Sequence, residues 1–277
     1  MTAPPRKPDR RDLHVVLYPG RRGTAVFLHG VLSSAGYYAG LAGALRDGPF
    51  FVAPDLLGHG ESARPAGIAY TLEDHLDALE DLVRHEAPTG PLVLGAHSLG
   101  CLVLTALVAR RIRDRVDGLV FLNYPRFVSA AQIHETLRKG SAEYRRATEG
   151  IVSLSDDDLV RASGTFVRHF AAILPAHLRH DAERTAPEAL SGTVRHALFA
   201  YRPDEDLLAL KDLPQLHLHG EQDRVAPPAF LEALLPRLPR ARYVKAAGAG
   251  HHLLQTHAAL AAGEIASFLN RVIGPRP

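Results

Sequence analysis

One serine of this sequence stands where nucleophilic chemistry is possible. In Leu92-Val93-Leu94-Gly95-Ala96-His97-Ser98-Leu99-Gly100-Cys101, a short apolar run of strand-forming residues meets a tight turn of small residues. An apolar helical pattern (Leu102, Leu104, Thr105, Val108) follows at once. Such a strand-turn-helix, a nucleophile elbow, lifts the Ser98 hydroxyl out of the fold at the carboxyl end of a buried strand. The free N–H groups of the helix amino terminus point at the same spot. Two other groups have the types for chemistry. His217 and His219 lie two apart on one strand face, as metal ligands can, but no carboxylate or cysteine is placed to complete a set, so they read as core or strand-end histidines and no metal is expected. The single cysteine, Cys101, begins the elbow helix and reads as a small buried hydrophobe.

An exposed serine of this kind needs a framework of buried strands, and the chain supplies one in order. Strands are expected at 13–18, 24–28 and 50–53, in the apolar run that opens at Leu92, and at 116–122, 213–219 and 241–245, most of them too uniformly apolar to have a wet face. Helices alternate with them: one carrying Tyr37, Tyr38, Leu41 and Leu45, one from Thr71 to His85 opened by a Thr71/Asp74 capping box, one from Pro228 to Leu235 and a last from Leu253 to Val272. Alternating strand and helix means an α/β fold with a mostly parallel sheet covered on both faces. From Tyr124 the rhythm changes. About eighty residues read as helices without a convincing strand, with starts near Ser129, Ser155 and Pro187. The expected organisation is a flexible tail over 1–12, a core formed by 13–123 and 213–277, and a helical lid inserted at 124–212. Of the aromatic residues there (Phe127, Tyr144, Phe166, Phe170, Phe199, Tyr201), some must pack the lid and a minority could shape an apolar pocket.

Composition removes several function classes. In 277 residues a net charge of +2 is spread with acids and bases interleaved, so there is no basic stripe for a phosphate backbone and no nucleic acid is expected. A lone cysteine makes no intramolecular disulfide, the start has no apolar stretch of signal-peptide length, and no segment reaches membrane-span length. A cytoplasmic enzyme is the expectation; its oligomeric state is left open.

Four separated motifs, His29-Gly30-Val31, Asp55 to Ser62, Ala96 to Gly100, and Gly220-Glu221-Gln222-Asp223 with Gly250-His251, carry a resemblance over nearly the whole chain after the tail. Their order and spacing resemble the α/β-hydrolase superfamily, specifically its small lidded serine esterases and related acyl hydrolases. The resemblance implies an α/β-hydrolase fold and a triad of Ser98 as nucleophile, His251 as base and then acid, and Asp223 as the carboxylate that orients it. It selects His251 over the adjacent His252, which becomes a lid-facing or solvated neighbour. The residues after the earlier strand, where some relatives carry the acid, are Asn123-Tyr124. The amides of Val31 and Leu99 match the family's oxyanion hole, and their side chains would line the acyl pocket. Candidate pocket residues are Leu32, His97, Phe127, Phe166, Phe170 and His252. His29 reads as structural, packing under its loop. Asp55, Gly58 and Gly60 read as turn chemistry and Ser62 as a cap. His97 reads as either buried or pocket-lining. Ala96 departs from the glycine usual at the first elbow position. The implied activity is cleavage of a carboxylic ester of a small, partly apolar substrate through an acyl-enzyme, without metal or organic cofactor. The alternatives are a thioesterase or acyltransferase with the same triad, or a cofactor-free lyase or cyclase using the same pocket.

Overall fold

The central strands leave no face for water. Thr24–Leu28, Leu92–His97 and Gly118–Leu122 are buried at every position, as strands covered on both sides must be. The computed structural model describes residues 13–139, 158 and 176–274. In chain order its elements are β1 (Val15–Tyr18), β2 (Thr24–Leu28), a short 3-10 turn at Ala35–Tyr38 running into α1 (Ala39–Ala44), β3 (Phe50–Pro54), α2 (Leu72–Glu86), β4 (Leu92–His97), α3 (Leu99–Leu107) and β5 (Gly118–Leu122). Then come α4 (Ala130–Lys139), α5 (Ala176–Glu183), α6 (Pro187–Thr193), α7 (Asp204–Ala209), β6 (Gln215–Gly220), α8 (Pro228–Glu232), β7 (Ala241–Ala246), α9 (Leu253–Thr256) and α10 (Ala258–Ile273).

The seven strands form one sheet in the order β1-β3-β2-β4-β5-β6-β7. Only the edge pair β1 and β3 is antiparallel; the rest run parallel. Alternate side chains divide the core. Val26, Leu28, Leu94, Leu119 and Phe121 pack with α2 and α3 on one face. Ala25, Phe27, Val93, Val120, Leu122 and Leu218 pack with Tyr38, α1 and α10 on the other. Because β3 lies on one side of β2 and β4 on the other, the connections diverge at the β2/β4 boundary, the place where parallel sheets leave a crevice at their carboxyl edge.

Local chemistry sets the helix ends. The Thr71 hydroxyl accepts from the Asp74 amide (3.2 Å) while the Thr71 amide donates to the Asp74 carboxylate (2.8 Å), the expected capping box. Two expected helices are shorter. The stretch from Leu253 breaks at His257, whose backbone (φ −131°, ψ 44°) leaves the helical region. There the Thr256 hydroxyl donates to His252 O and bonds the His257 ring, side-chain bonds that compete with the helix ladder. The helix from Pro228 ends at Glu232 and is followed by a separate turn at Leu235–Arg237, which Pro236 interrupts. Between 124 and 212 the described residues hold α4 to α7 and no strand. α7, with Asp204, Glu205 and Asp206 in its first turn, was not foreseen from the sequence. Residues 1–12, Tyr144, Ser155, Phe166 and Phe170 lie outside the described residues. No described helix is long and apolar enough to cross a membrane.

Beside the core three buried imidazoles, His29, His59 and His75, lie close together. Burial holds His75 down at about 4 and His59 at about 3, against an ordinary 6.5. Below 6.5 the unfolded chain therefore takes up protons that the folded chain refuses. Stability is complete above that value and erodes as pH falls toward about 4 for His75. Urea unfolding at pH 7 and pH 5 is expected to show a loss of roughly 2 kcal/mol for each such histidine. His75→Gln, keeping an amide near the Thr193 hydroxyl that His75 bonds at 2.9 Å, should flatten this slope by about one proton's worth. An unchanged slope in that variant would count against His75 as a source.

Candidate active site

The carboxyl ends of β2, β4, β5, β6 and β7 share one edge, and register pairs Leu28 with Ala96, His97 with Leu122, and Gly220 with Ala246. Ser98 follows β4 and holds the ladder one residue further, its amide donating to Leu122 O at 3.0 Å. Its backbone then turns sharply, at φ 52° and ψ −125°. Space for this turn is made by glycines. A Cβ on Gly100 would stand 2.5 Å from His29 O, and one on Gly30 would stand 3.0 Å from the Ser98 Cβ. Ala96 is tolerated because its methyl joins the core beside Leu94 and Leu99. The buried Cys101 thiol donates to Ala96 O (3.2 Å), and burial pushes its pKa up, away from thiolate chemistry.

Asp223 comes from the loop after β6 and His251 from the loop after β7. The two loops touch because Gly220 has no side chain: a Cβ there would meet Gly250 O at 2.3 Å. Gln222 N donates to Ala249 O at 2.8 Å and fastens one to the other. His251 Nδ1 lies 2.8 Å from Asp223 Oδ2, and His251 Nε2 lies 2.9 Å from Ser98 Oγ. A carboxylate only accepts, so Nδ1 carries the proton and Nε2 is left to accept from the serine hydroxyl. The other carboxylate oxygen, Oδ1, accepts the amides of Val225 and Ala226, both at 2.9 Å. Burial by itself would raise the Asp223 pKa, but His251, the His219 ring and these donors hold it well below the usual carboxylate range. Ser98, Asp223 and His251 are thus brought together, and no other residue stands between them.

Leu99 opens α3, so its N–H is one of the helix's orphan donors and lies beside Ser98. Its side chain is fully buried in the core. Val31, half-buried, follows the His29-Gly30 turn that faces the elbow. Under this turn the His29 ring is fully used: Nδ1 donates to Gly30 O (2.8 Å) and Nε2 accepts from Leu56 N (2.9 Å). Asp55 pins the neighbouring loop, accepting from the amides of Ala35 (2.6 Å) and Glu61 (2.9 Å). Ser62 caps no helix; its hydroxyl donates back to Asp55 O at 2.6 Å and closes the loop.

The remaining candidates scatter. Leu32 is buried at φ 56°. Phe127 is buried and packs edge-on to Phe230, 6.0 Å away. His252 turns toward the His97 and Tyr37 rings, at 5.9 and 6.4 Å. His97 is buried and bonds His251 O through Nε2 at 2.9 Å. His217 is held by Gln215 Oε1 (2.9 Å) and His219 by Ala226 O (2.7 Å). Two contacts at this edge escaped the sequence reading. Asn123 donates to Asp223, and His219 stands 3.5 Å from the same carboxylate. The position of Asn123 directly after a buried strand was the available signal.

Known proteins place this fold. The plant protein named "Probable lysophospholipase BODYGUARD 2" from Arabidopsis thaliana is 33% identical over 94 residues, 32% of this chain and 20% of its own. This chain thus spans about a fifth of that relative's length. LipZ of Mycobacterium tuberculosis is 30% identical over 256 residues, 84% of each chain. A thermophilic esterase from Thermogutta terrifontis superposes with a TM-score of 0.71 at 27% identity, covering 94% of this chain and 93% of its own. The family model described as the alpha/beta hydrolase fold matches residues 25–258. With the parallel sheet and elbow in place, that match makes the chain a member of the alpha/beta hydrolase family.

Proposed function

We propose that this protein is a serine hydrolase that cleaves a carboxylic ester of a small, partly apolar substrate through an acyl-enzyme on Ser98. The observation that carries the reading is the unbroken series from Asp223 through His251 to Ser98, with contacts of 2.8 and 2.9 Å. Likeness to an esterase over 94% of the chain supports it. In this reading Ser98 Oγ attacks the ester carbonyl carbon while its proton passes to His251 Nε2, and the carbonyl oxygen becomes negative facing the amides of Leu99 and Val31. Collapse of that intermediate breaks the bond to the alcohol oxygen, which takes the proton from His251. Water then enters, gives a proton to His251 and attacks the acyl carbon; the carboxylic acid leaves and Ser98 regains its proton. Asp223 remains ionised throughout and holds the imidazole tautomer.

The helical stretch 124–212 would select the substrate as a lid over this edge. The lid reading is supported by the way its described part fastens to the loop after β3. Ala186 N donates to Gly58 O, and Arg64 donates to Arg184 O, each at 2.8 Å.

A fluorophosphonate probe is expected to label the wild type and not Ser98→Ala, with p-nitrophenyl ester turnover falling about 10⁴-fold or more in that variant. A wild type that resists the probe, or a Ser98→Ala enzyme at full rate, sinks the acyl-serine reading. Asp223→Asn should lower kcat about 10⁴-fold at nearly unchanged KM, since it stabilises the wrong tautomer without moving the substrate. An effect confined to KM would instead place Asp223 in substrate binding.

A further inference from the structure

Asn123, directly after β5, and His97, the last residue of β4, both reach across to the loop that carries His251. Asn123 Nδ2 lies 2.7 Å from Asp223 Oδ2 and 3.2 Å from Gly250 O. His97 Nε2 lies 2.9 Å from His251 O. Two consecutive carbonyls of one loop are therefore gripped from two neighbouring strands, on either side of Ser98. We propose that Asn123 and His97 are positioning residues, a two-point clamp that holds the His251 loop against the nucleophile while Asn123 also holds the Asp223 carboxylate. The inference rests on the acyl-serine reading for the meaning of the geometry, though not for the geometry itself.

The atoms leave little choice of orientation. Both neighbours of the Asn123 amide nitrogen are acceptors, so the nitrogen must face them; flipping the group would set oxygen against oxygen. In that orientation Asn123 Oδ1 is buried with no hydrogen-bond partner among the described residues. A buried asparagine serving only to fill space would satisfy its acceptor. This one leaves an acceptor bare in order to give both protons to the site. The backbone points the same way. Asn123 sits at φ 52°, a conformation asparagine tolerates better than most residues, and its amide donates to Leu218 O at 2.9 Å, locking it into the sheet edge.

His97 is equally committed. It is buried against Tyr37, whose ring stacks on it with centroids 4.7 Å apart and planes at 21°. Burial first, then the nearby His251 and His252, keeps its pKa well below the ordinary value, so the ring is neutral. Its single proton must be on Nε2 to meet the His251 carbonyl, and Nδ1, packed against Gly30, has no partner among the described residues. Because β4 and β5 are paired through His97 and Leu122, both arms of the clamp stand on one rigid ladder. Such stiffness matters because a misplacement of roughly 1 Å in a reacting group can cost about a hundredfold in rate.

Four variants test the clamp. Asn123→Gly keeps the positive φ open and removes the amide. Asn123→Asp keeps the shape and replaces the donor by a second carboxylate beside Asp223. His97→Phe keeps a ring on Tyr37 without a donor, and His97→Gln restores a donor of similar reach. With unfolding temperature as the folding control, Asn123→Gly and His97→Phe are expected to lose about tenfold to a hundredfold in kcat with KM within about twofold. Fluorophosphonate labelling should slow in parallel, and His97→Gln should recover most of the rate. In Asn123→Asp two carboxylate oxygens would meet at the 2.7 Å separation that Asn123 Nδ2 now bridges, which like charges oppose, so kcat is expected to fall at least as far as in Asn123→Gly. Independently of turnover, the downfield proton resonance of His251 Nδ1–H, assigned by its loss in Asp223→Asn, should shift or broaden in Asn123→Gly and His97→Phe and return in His97→Gln. Folded Asn123→Gly and His97→Phe proteins with wild-type kcat and an unmoved resonance overturn the clamp. A wild type that does not label, yet whose resonance responds to these variants, overturns the acyl-serine reading and upholds the clamp.

Discussion

At φ 52° and ψ −125° Ser98 is held in a backbone conformation that L-residues avoid, at a cost on the order of 1–3 kcal/mol, and the rest of the edge exists to keep it there. The strain persists because its surroundings over-determine it. The Ser98 amide is tied to Leu122 O, the first turn of α3 is bonded back to Ser98 O by Cys101 N at 2.8 Å, and Gly30 and Gly100 bring the His29 turn into contact where any Cβ would collide. These restraints place one hydroxyl beside one helix amino terminus and the His29-Gly30 turn. No flexible loop could hold that geometry as closely as a buried parallel ladder does.

The same edge separates charge from its neighbours by burial. His29, His59, His75, His97 and His217 are all pushed down by desolvation and stay neutral. Asp223 is the counterpart. It is a buried carboxylate kept ionised by a ring of donors from three elements, the end of β5, the end of β6 and the loop after it. A carboxylate so satisfied has little affinity for a proton, which suits a group that orients an imidazole and takes no proton from it.

Most of the framework was legible in the sequence because parallel strands buried on both faces announce themselves as short apolar runs. Thr24–Leu28 lies where the apolar pattern puts it, β4 opens at Leu92 as expected, and the other strands differ by one or two residues at one end or, in β6, at both. Ser98, Asp223 and His251 were legible because each follows such a run or a glycine turn. Asn123 was visible only as the absence of an acid. A sequence pattern records which side chains can do chemistry more readily than which carbonyls need holding, and the partners of Asn123 and His97 are backbone oxygens 127 and 154 residues away. The break at His257 was hidden for a related reason: it depends on side chain to backbone bonds that compete locally with the helix.

The unequal visibility follows from a division of labour in the chain. The contacts among Ser98, Asp223 and His251 are assembled from strand ends, whose positions are set by a ladder and by volume, and those constraints leave apolar runs and obligatory glycines behind. The stretch after Tyr124, by contrast, is joined to the core in part by half-exposed ion pairs such as that of Arg110 with Asp206. Contacts of that kind can be exchanged without disturbing the sheet, since an exposed or half-buried pair contributes on the order of 1 kcal/mol or less while a misplaced strand costs the core. One sheet edge can therefore stand beside many different helical stretches. It follows that changes within 124–212 act on replaceable contacts, whereas changes at the ends of β4, β5 and β6 act on the sheet itself.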